Sequence, residues 1–474
     1  MKPKRKIRKV PFLTLLILFL IVFIVIPFSL LKFTEDGEYY IENLKTSEVQ
    51  ASYKHYLFAN LKMDTLKSKY TCIKNADGKI LRLKSGIVNL KTKDITENTE
   101  YTTDDNETGY INGNYGADAL YLGTSSDGKK VHFKISGVQA WTNIDNVELE
   151  PYSDDYTLSS YYIYNGSLIH TLSTDIQQGI VNSIAIGPAP KFLKENTLYY
   201  SYDGHYFYTS FKNLVKDKKV NTKPYYNYYQ YVPHRTTSYL NNEIYDNYLA
   251  LYGIDSSATE YPCQDNESAL YDQADTFLNV QKQYGINASM MYALALNESG
   301  LGQSQFAIEY HNLFGHAALD ANPDNANQYR SLKQCVKQHA YNFLQQGYLN
   351  PKDSRYNGSW FGDKASGINV NYASDPYWGE KAASFYYRLD TNGIDRKQNK
   401  IKVITLSQDL NVYAKDKKTV LYSYKKGSIV SIHILKEMNG WYKITSEAPI
   451  KNNKINTKIK YNPSYAYIEK SAFE

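Results

Sequence analysis

The sequence predicts a multidomain chain: an N-terminal transmembrane helix, an all-β region, a mostly α domain with a small β-lobe, and a C-terminal β-barrel. Three observations predict it. An uncharged apolar run from Val10 to Leu31 follows a basic tail. Residues 70–196 carry short β-type runs with Gly, Asn and Asp at the turns. Helical spacing takes over between residues 267 and 389, before β-type runs return past Lys400. At 474 residues the chain is too long for one core and suits about three domains.

The tail, residues 1–9, carries Lys2, Lys4, Arg5, Lys6, Arg8 and Lys9. Residues 10–31 then run 22 positions without a charge, enough for a helix to cross a bilayer. The exit, Pro27-Phe28-Ser29-Leu30-Leu31-Lys32, has no small-residue cleavage signature. These features read as an uncleaved, single-pass signal anchor in the cell membrane, with the basic flank inside and the bulk of the chain outside. The formal net charge of +6 equals those six basic residues, so the basic balance is a topology signal and gives no support to nucleic-acid binding. Cys72, Cys263 and Cys335 are too few for a disulfide framework; Cys263 and Cys335 either pair or stay reduced. No Cys-x-x-Cys or close His/Cys cluster suggests a structural metal, and nothing calls for a cofactor.

Residues 32–70 read as a stalk, helical over 36–70, with Tyr40, Leu44, Leu57, Leu61 and Leu66 on an irregular apolar stripe. Residues 71–245 read as a β-rich module followed by an aromatic connector. Lys79–Leu83, Ala119–Leu122, Val131–Ile135 and Tyr161–Ile169 are its strand-like runs, and Asp77-Gly78, Asn112-Gly113 and Asp127-Gly128 are hairpin signals. The chain holds 48 tyrosines against 4 tryptophans, many in runs such as Tyr199-Tyr200-Ser201-Tyr202, Tyr206-Phe207-Tyr208 and Tyr225 to Tyr231. Amphipathic rings suit sugar stacking and β-sheet faces equally, and only the runs count toward glycan binding.

The helical part centres on Asn287 to His316. Met290, Met291, Ala293, Leu294 and Leu296 make a buried helix entered through Asn287 or Ser289 as N-cap. Gly300 and Gly302 end it with a left-handed cap, leaving Glu298 at the mouth of a cleft. A carboxyl backed by apolar helix loses solvation and keeps its proton near neutral pH, as a general acid must. Before it, residues 267–284 form a helix closed by Gly285. After it come a short helix over 304–310 and a hairpin over 312–329 that turns at Asp320-Ala321-Asn322-Pro323-Asp324-Asn325. A helix from a Ser331 cap to Leu349 follows, then one that Asp375 starts and that ends near Leu389. His311 and His316, five apart with no third ligand, do not make a metal site.

Three blocks carry a resemblance. Glu298-Ser299-Gly300-x-Gly302-x-Ser304, then Asn312-Leu313-Phe314-Gly315, then Tyr372-Ala373-Ser374-Asp375-Pro376-Tyr377-Trp378-Gly379-Glu380-Lys381 resemble the glucosaminidase domain of bacterial cell-wall hydrolases, glycoside hydrolase family 73. The resemblance covers residues 260–395. It implies a lysozyme-like fold, an endo-β-N-acetylglucosaminidase activity, and peptidoglycan glycan strands as partner. Glu298 would be the general acid, and a second group must meet the oxocarbenium-like transition state. Asp320 is the candidate, with Glu309 in reserve. Where neither reaches, the substrate's own N-acetyl oxygen would serve, with Tyr372, matching the family's tyrosine, orienting the acetamido group. Asn312, Phe314, Asp375, Tyr377 and Trp378 are candidates for substrate binding. Asp375 before Pro376 reads more simply as an N-cap, and the three aromatics either floor sugar subsites or belong to the core.

Tyr110 to Trp141 looks like the SH3-like β module that precedes the catalytic domain in some streptococcal and clostridial glucosaminidases, and Tyr202 to Arg235 resembles the aromatic connector found there. Residues 401–474, ending in Asn439-Gly440-Trp441-Tyr442-Lys443-Ile444 and Tyr467-Ile468-Glu469-Lys470-Ser471, look like a bacterial SH3 domain interrupted by an insertion from Glu447 to Tyr461. Together these imply a membrane-anchored peptidoglycan hydrolase that cleaves the β-1,4 bond between N-acetylglucosamine and N-acetylmuramic acid in wall remodelling or daughter-cell separation. A lytic transglycosylase or muramidase on the same polymer, and a non-catalytic wall-binding protein, are the alternatives.

Overall fold

The computed structural model of the chain describes residues 37–316, 327–461 and 463–473. The apolar run 10–31 and the turn with Asp320 lie outside the described residues. Among the described residues no helix is long and apolar enough to cross a membrane. The chain divides into two compact units: the first takes residues up to Asn89 with Leu120–Phe133 and Trp141–Ser153, and the second takes Leu90–Ala119, Lys134–Ala140 and all that follows Asp154.

In the first unit the expected helical stalk is instead part of a sheet. Strands Glu48–Tyr53, Tyr39–Asn43, Thr71–Asn75 and Ile80–Leu83 lie side by side in that order, all antiparallel. Ile41 faces Ala51 on one side and Ile73 on the other, and all three are buried. The helix Tyr56–Thr65 alone matches the expectation, and it buries Tyr56, Ala59 and Met63. The apolar residues of 36–50 belonged to a period of two whose pairing partner lies some thirty residues downstream. Asp77-Gly78 closes a hairpin, with Gly78 at φ 83°.

The second unit opens with Thr99–Thr103 paired to Thr108–Ile111. Asn112-Gly113, expected as a hairpin, instead leads away from that pair: Asn112 is buried and its amide donates to the Ile95 carbonyl at 2.6 Å. A three-stranded antiparallel sheet follows, Ser160–Tyr164, Ser167–Asp175 and Ile180–Pro188. The tyrosine runs after it are divided between core and surface: Tyr200, Tyr206, Tyr225, Tyr226 and Tyr228 stay partly exposed. Tyr199, Tyr202, Phe207, Tyr208, Tyr229 and Tyr231 are buried, and two of these rings pack edge to face, Phe207 on Tyr161 at 5.1 Å and Tyr229 on Tyr386 at 5.3 Å.

The helical core begins before residue 260. Tyr229, Val232, Leu240, Tyr245, Tyr248 and Leu249 join the same apolar cluster as Phe277, Met290, Leu294 and Tyr386. At its centre runs the helix Ala288–Glu298, buried from Ala288 to Leu296 and flanked by Ala274–Tyr284 and Trp378–Leu389. Ala274–Tyr284 starts later than the sequence suggests because Glu267–Ser268 pairs with Ser256–Ser257; Gly285 closes it in the left-handed region at φ 60°. From its Ser331 cap, Leu332–Gln338 continues as a π-helix, His339–Tyr348. No strand is present among the described residues of the expected 312–329 hairpin, although Asn327 donates to the His316 carbonyl and Tyr329 to that of Tyr310. Cys72, Cys263 and Cys335 are free.

The C-terminal region is a six-stranded sheet in the order Ile401–Thr405, Ile429–Met438, Trp441–Thr445, Tyr465–Glu469, Leu410–Tyr413, Val420–Tyr424, closing on Val412, Val430, Ile432, Ala466 and Ile468. The Glu447 to Tyr461 insertion is its seam with the helical core. Gln345 donates to the carbonyls of Thr457 and Ile459 at 2.8 and 3.0 Å. The buried Arg235 stacks on Tyr461 at 4.1 Å and donates to the Glu447 carbonyl at 2.8 Å.

Candidate active site

The carboxylate at the end of the buried helix is placed by both ends of that helix. At the start, Asn287 caps the Met290 amide with its side-chain oxygen, while its amide donates to the Thr236 and Tyr386 hydroxyls at 3.0 and 3.2 Å. At the finish, Gly300, Leu301 and Gly302 are all left-handed, at φ 55°, 62° and 81°. Three such residues in a row stop the helix within two residues of Glu298. Gly302 is also obligatory on space, since a Cβ there would stand 2.4 Å from the Ser268 hydroxyl.

Glu298 is half-buried, and its two oxygens have different surroundings. Oε1 accepts from the Trp378 indole N–H at 2.6 Å and from the Asn297 amide at 3.3 Å. Oε2 lies toward Gly315, 3.9 Å from where a Cβ on that residue would stand. Loss of solvation raises the carboxyl to about 7, aided by the charge of Asp375 and opposed by the two hydrogen bonds. Both donors fall on Oε1, which leaves Oε2, the oxygen that faces the glycine, able to carry the proton. The arrangement is that of an acid protonated near neutrality, held through Oε1 and turned through Oε2 toward Gly315.

Tyr372 lies against the same group. Its ring stacks on Trp378 at 4.5 Å and 28°, and its hydroxyl donates to the Phe314 carbonyl at 3.4 Å. Trp378 is therefore placed between the tyrosine ring and the acid, and at 4 % exposure it is a hydrogen-bond donor to Glu298, not an open sugar platform. Asp375 accepts from the Tyr377 amide at 2.8 Å and pairs with Lys381, so the helix starts at Trp378, three residues later than expected, after a turn that Asp375 and Pro376 close.

The other expected binding residues lie in the core. Phe314 is buried and stacks on His339 at 3.7 Å. Tyr377 is buried with its ring edge to His170 at 4.9 Å. Asn312 is buried and closes its own loop, accepting from the His316 amide and donating to the His316 carbonyl, each at 3.0 Å. Their apolar or amide character was visible in the sequence; the neighbours that bury them were not. Glu309 is exposed and accepts from Gln305 at 2.7 Å on its own helix. His316 shares its Nε2 with His339 Nδ1 at 3.1 Å, and burial lowers it to about 3, while His311 meets the Tyr329 carbonyl. No metal-ligating cluster occurs among the described residues. Sequence reasoning missed Asn297 and Gly315 as neighbours of the acid; the only signal was their adjacency to Glu298 and Phe314.

Residues 274–391 match the Glucosaminidase family, described as mannosyl-glycoprotein endo-beta-N-acetylglucosaminidase. That segment is a glucosaminidase domain. Its match takes in the Glu298 helix, the Gly315 loop and the Tyr372 to Trp378 stretch. Over 267 residues, 56% of its length, the chain is 27% identical to a Streptococcus pneumoniae serotype 4 protein named "Putative endo-beta-N-acetylglucosaminidase" and covers 35% of it. A second S. pneumoniae strain's protein of the same name is also 27% identical over 267 residues, with 33% covered. The chain thus spans about a third of the length of these curated relatives. Among solved structures, Staphylococcus aureus autolysin E is 17% identical, with 39% of this chain and 80% of that one aligned at a TM-score of 0.27. A catalytic mutant of that protein in complex with the disaccharide NAG-NAM is 17% identical, aligned over 39% of this chain and 81% of that one at 0.26.

Proposed function

We propose that the chain is a peptidoglycan endo-β-N-acetylglucosaminidase that hydrolyses the β-1,4 bond on the reducing side of N-acetylglucosamine. The observation that carries the reading is the Glu298 carboxyl, raised to about 7 at the end of its helix, with Oε1 held by Trp378 and Oε2 turned toward Gly315. Such a group delivers a proton to the glycosidic oxygen as the bond breaks and, once ionised, draws a proton from the attacking water. The family match of residues 274–391 supports the substrate class, as do the names of the streptococcal relatives.

The second group is Asp320 or the substrate's acetamido oxygen. Glu309, exposed at the end of its short helix, stays in reserve, whereas Asp375 is engaged with Lys381 and the Tyr377 amide. Tyr372, stacked beside the acid, would orient the acetamido group. Residues 10–31 would anchor the enzyme in the cell membrane with its bulk on the wall side, residues 71–245 and 401–474 would be SH3-like modules, and the activity would serve wall remodelling or daughter-cell separation.

The test is digestion of purified peptidoglycan by the full-length chain and by Glu298→Gln, followed by borohydride reduction and mass spectrometry. New reducing N-acetylglucosamine ends, absent with Glu298→Gln, are expected. Reducing muramic acid ends would make it a muramidase, and 1,6-anhydro ends a lytic transglycosylase. No release from several walls would leave a binding protein.

A further inference from the structure

Behind Tyr372 lies a buried cation that the acid–base account does not use. Lys364 is 2 % exposed, in a tight loop held by Gly362 and Gly367 at φ 71° and 83°. A Cβ on Gly362 would stand 1.9 Å from the Ser366 carbonyl, so the loop closes only with glycine there. The ammonium donates to the carbonyls of Asn369, Val370 and Ala373 at 3.1, 3.3 and 2.9 Å. Three N–H groups thus meet three acceptors. These carbonyls bracket Tyr372 at the end of the short helix Asn369–Tyr372, where backbone oxygens otherwise lack partners. The same turn is tied from its other side by Asn369, whose amide reaches the Asp375 and Pro376 carbonyls at 3.3 and 3.1 Å.

Nothing about packing demands a charge at this place. A buried ammonium is costly, and a carbon chain of the same length would fill the space. The cost is visible in Lys364 itself, which burial lowers to about 8 against the opposing charges of Asp375 and Asp363. The Tyr110 ring lies 5.4 Å from the ammonium. What the charge does hold is the backbone on both sides of the ring that stacks on Trp378, whose N–H is spent on Glu298.

We propose that Lys364 is a positioning residue for the acid: it fixes the turn that sets the Tyr372 ring on Trp378, and so fixes the indole donor on Glu298. The inference rests on the glucosaminidase reading for its kinetic arm only. Lys364→Met in the full-length chain is expected to lower kcat about 30-fold with KM within about threefold, because the ground-state contacts are kept and the geometry of proton delivery is not. In a double-mutant cycle, Lys364→Met should add nothing to the loss caused by Tyr372→Ala. The activity-free arm follows tryptophan fluorescence against pH. A transition near pH 7 that is lost both in Trp378→Phe and in Glu298→Gln reports Glu298 through the indole, and its midpoint should rise in Lys364→Met. The rise is expected because the indole bond that lowers Glu298 loosens and the charge of Asp375 loses its counterweight.

If Lys364→Met does not fold, the same readings on Lys364→Arg apply; its guanidinium keeps the charge but does not converge on three carbonyls, and about threefold to tenfold loss of kcat is expected. A lowered melting temperature with kcat and midpoint unchanged would overturn the proposal, as would full additivity with Tyr372→Ala. A wild-type chain with no glycosidase activity but the expected fluorescence shifts would sink the hydrolase reading and leave the positioning role standing.

Discussion

Glu298 and Glu447 make a natural experiment within one chain. Burial raises both to about 7, and a side chain donates to one carboxyl oxygen of each: the Trp378 indole at 2.6 Å and the Tyr424 hydroxyl at 3.3 Å. Glu447 is 5 % exposed and sealed in the seam of the C-terminal sheet, where Arg235 takes its backbone carbonyl. Glu298 is half-buried, with Oε2 turned toward a glycine. Desolvation makes a neutral-pH acid of each, and on the proposed reading it is the half-buried one that hands its proton to a substrate. A perturbed carboxyl is therefore half of an argument for function, and the surroundings of its free oxygen are the other half.

The largest effect that would break this comparison is on turnover. Glu298→Gln should lower release of new reducing ends by about a thousandfold, and Glu447→Gln by less than about threefold in kcat, in side-by-side digests at pH 6. Equal losses would mean that the sealed glutamate matters as much as the open one. The next effect is on stability, and its sign follows from the raised carboxyl. An acid held above its ordinary value when folded favours the folded state at low pH, and that contribution is lost as pH rises from about 4.5 to 7. Glu298→Gln should thus be more stable than the native chain at pH 8, by up to about 3 kcal/mol, and no more stable at pH 4. Urea denaturation at the two pH values measures it, and matching midpoints at pH 8 would show that Glu298 carries no desolvation cost.

The parts of this site that the sequence exposes are the ones whose causes sit next to each other in the chain. The Asn287 cap, the Gly300 and Gly302 stop and the carboxylate between them fall within sixteen residues, so the helix and its acid could be placed. Trp378 was legible as an aromatic near the site, but its role as donor depends on a partner 80 residues away. Lys364 carries no signal at all, because its three carbonyls are backbone atoms that any sequence supplies. The same limit explains the stalk, where Ile41 needs Ile73 as its cross-strand neighbour, and Tyr229, whose ring is buried against Tyr386 far along the chain.

The ionisation of one carboxyl decides whether Glu298 can act as the acid. Carbon NMR of the full-length chain labelled at the glutamate carboxyl carbons, with the Glu298 signal assigned by its absence in Glu298→Gln, gives that titration without any substrate. A midpoint near pH 7 is the expected result. A midpoint near the ordinary 4.5 would mean that Glu298 is ionised at neutral pH, and the proposed acid would have no proton to give.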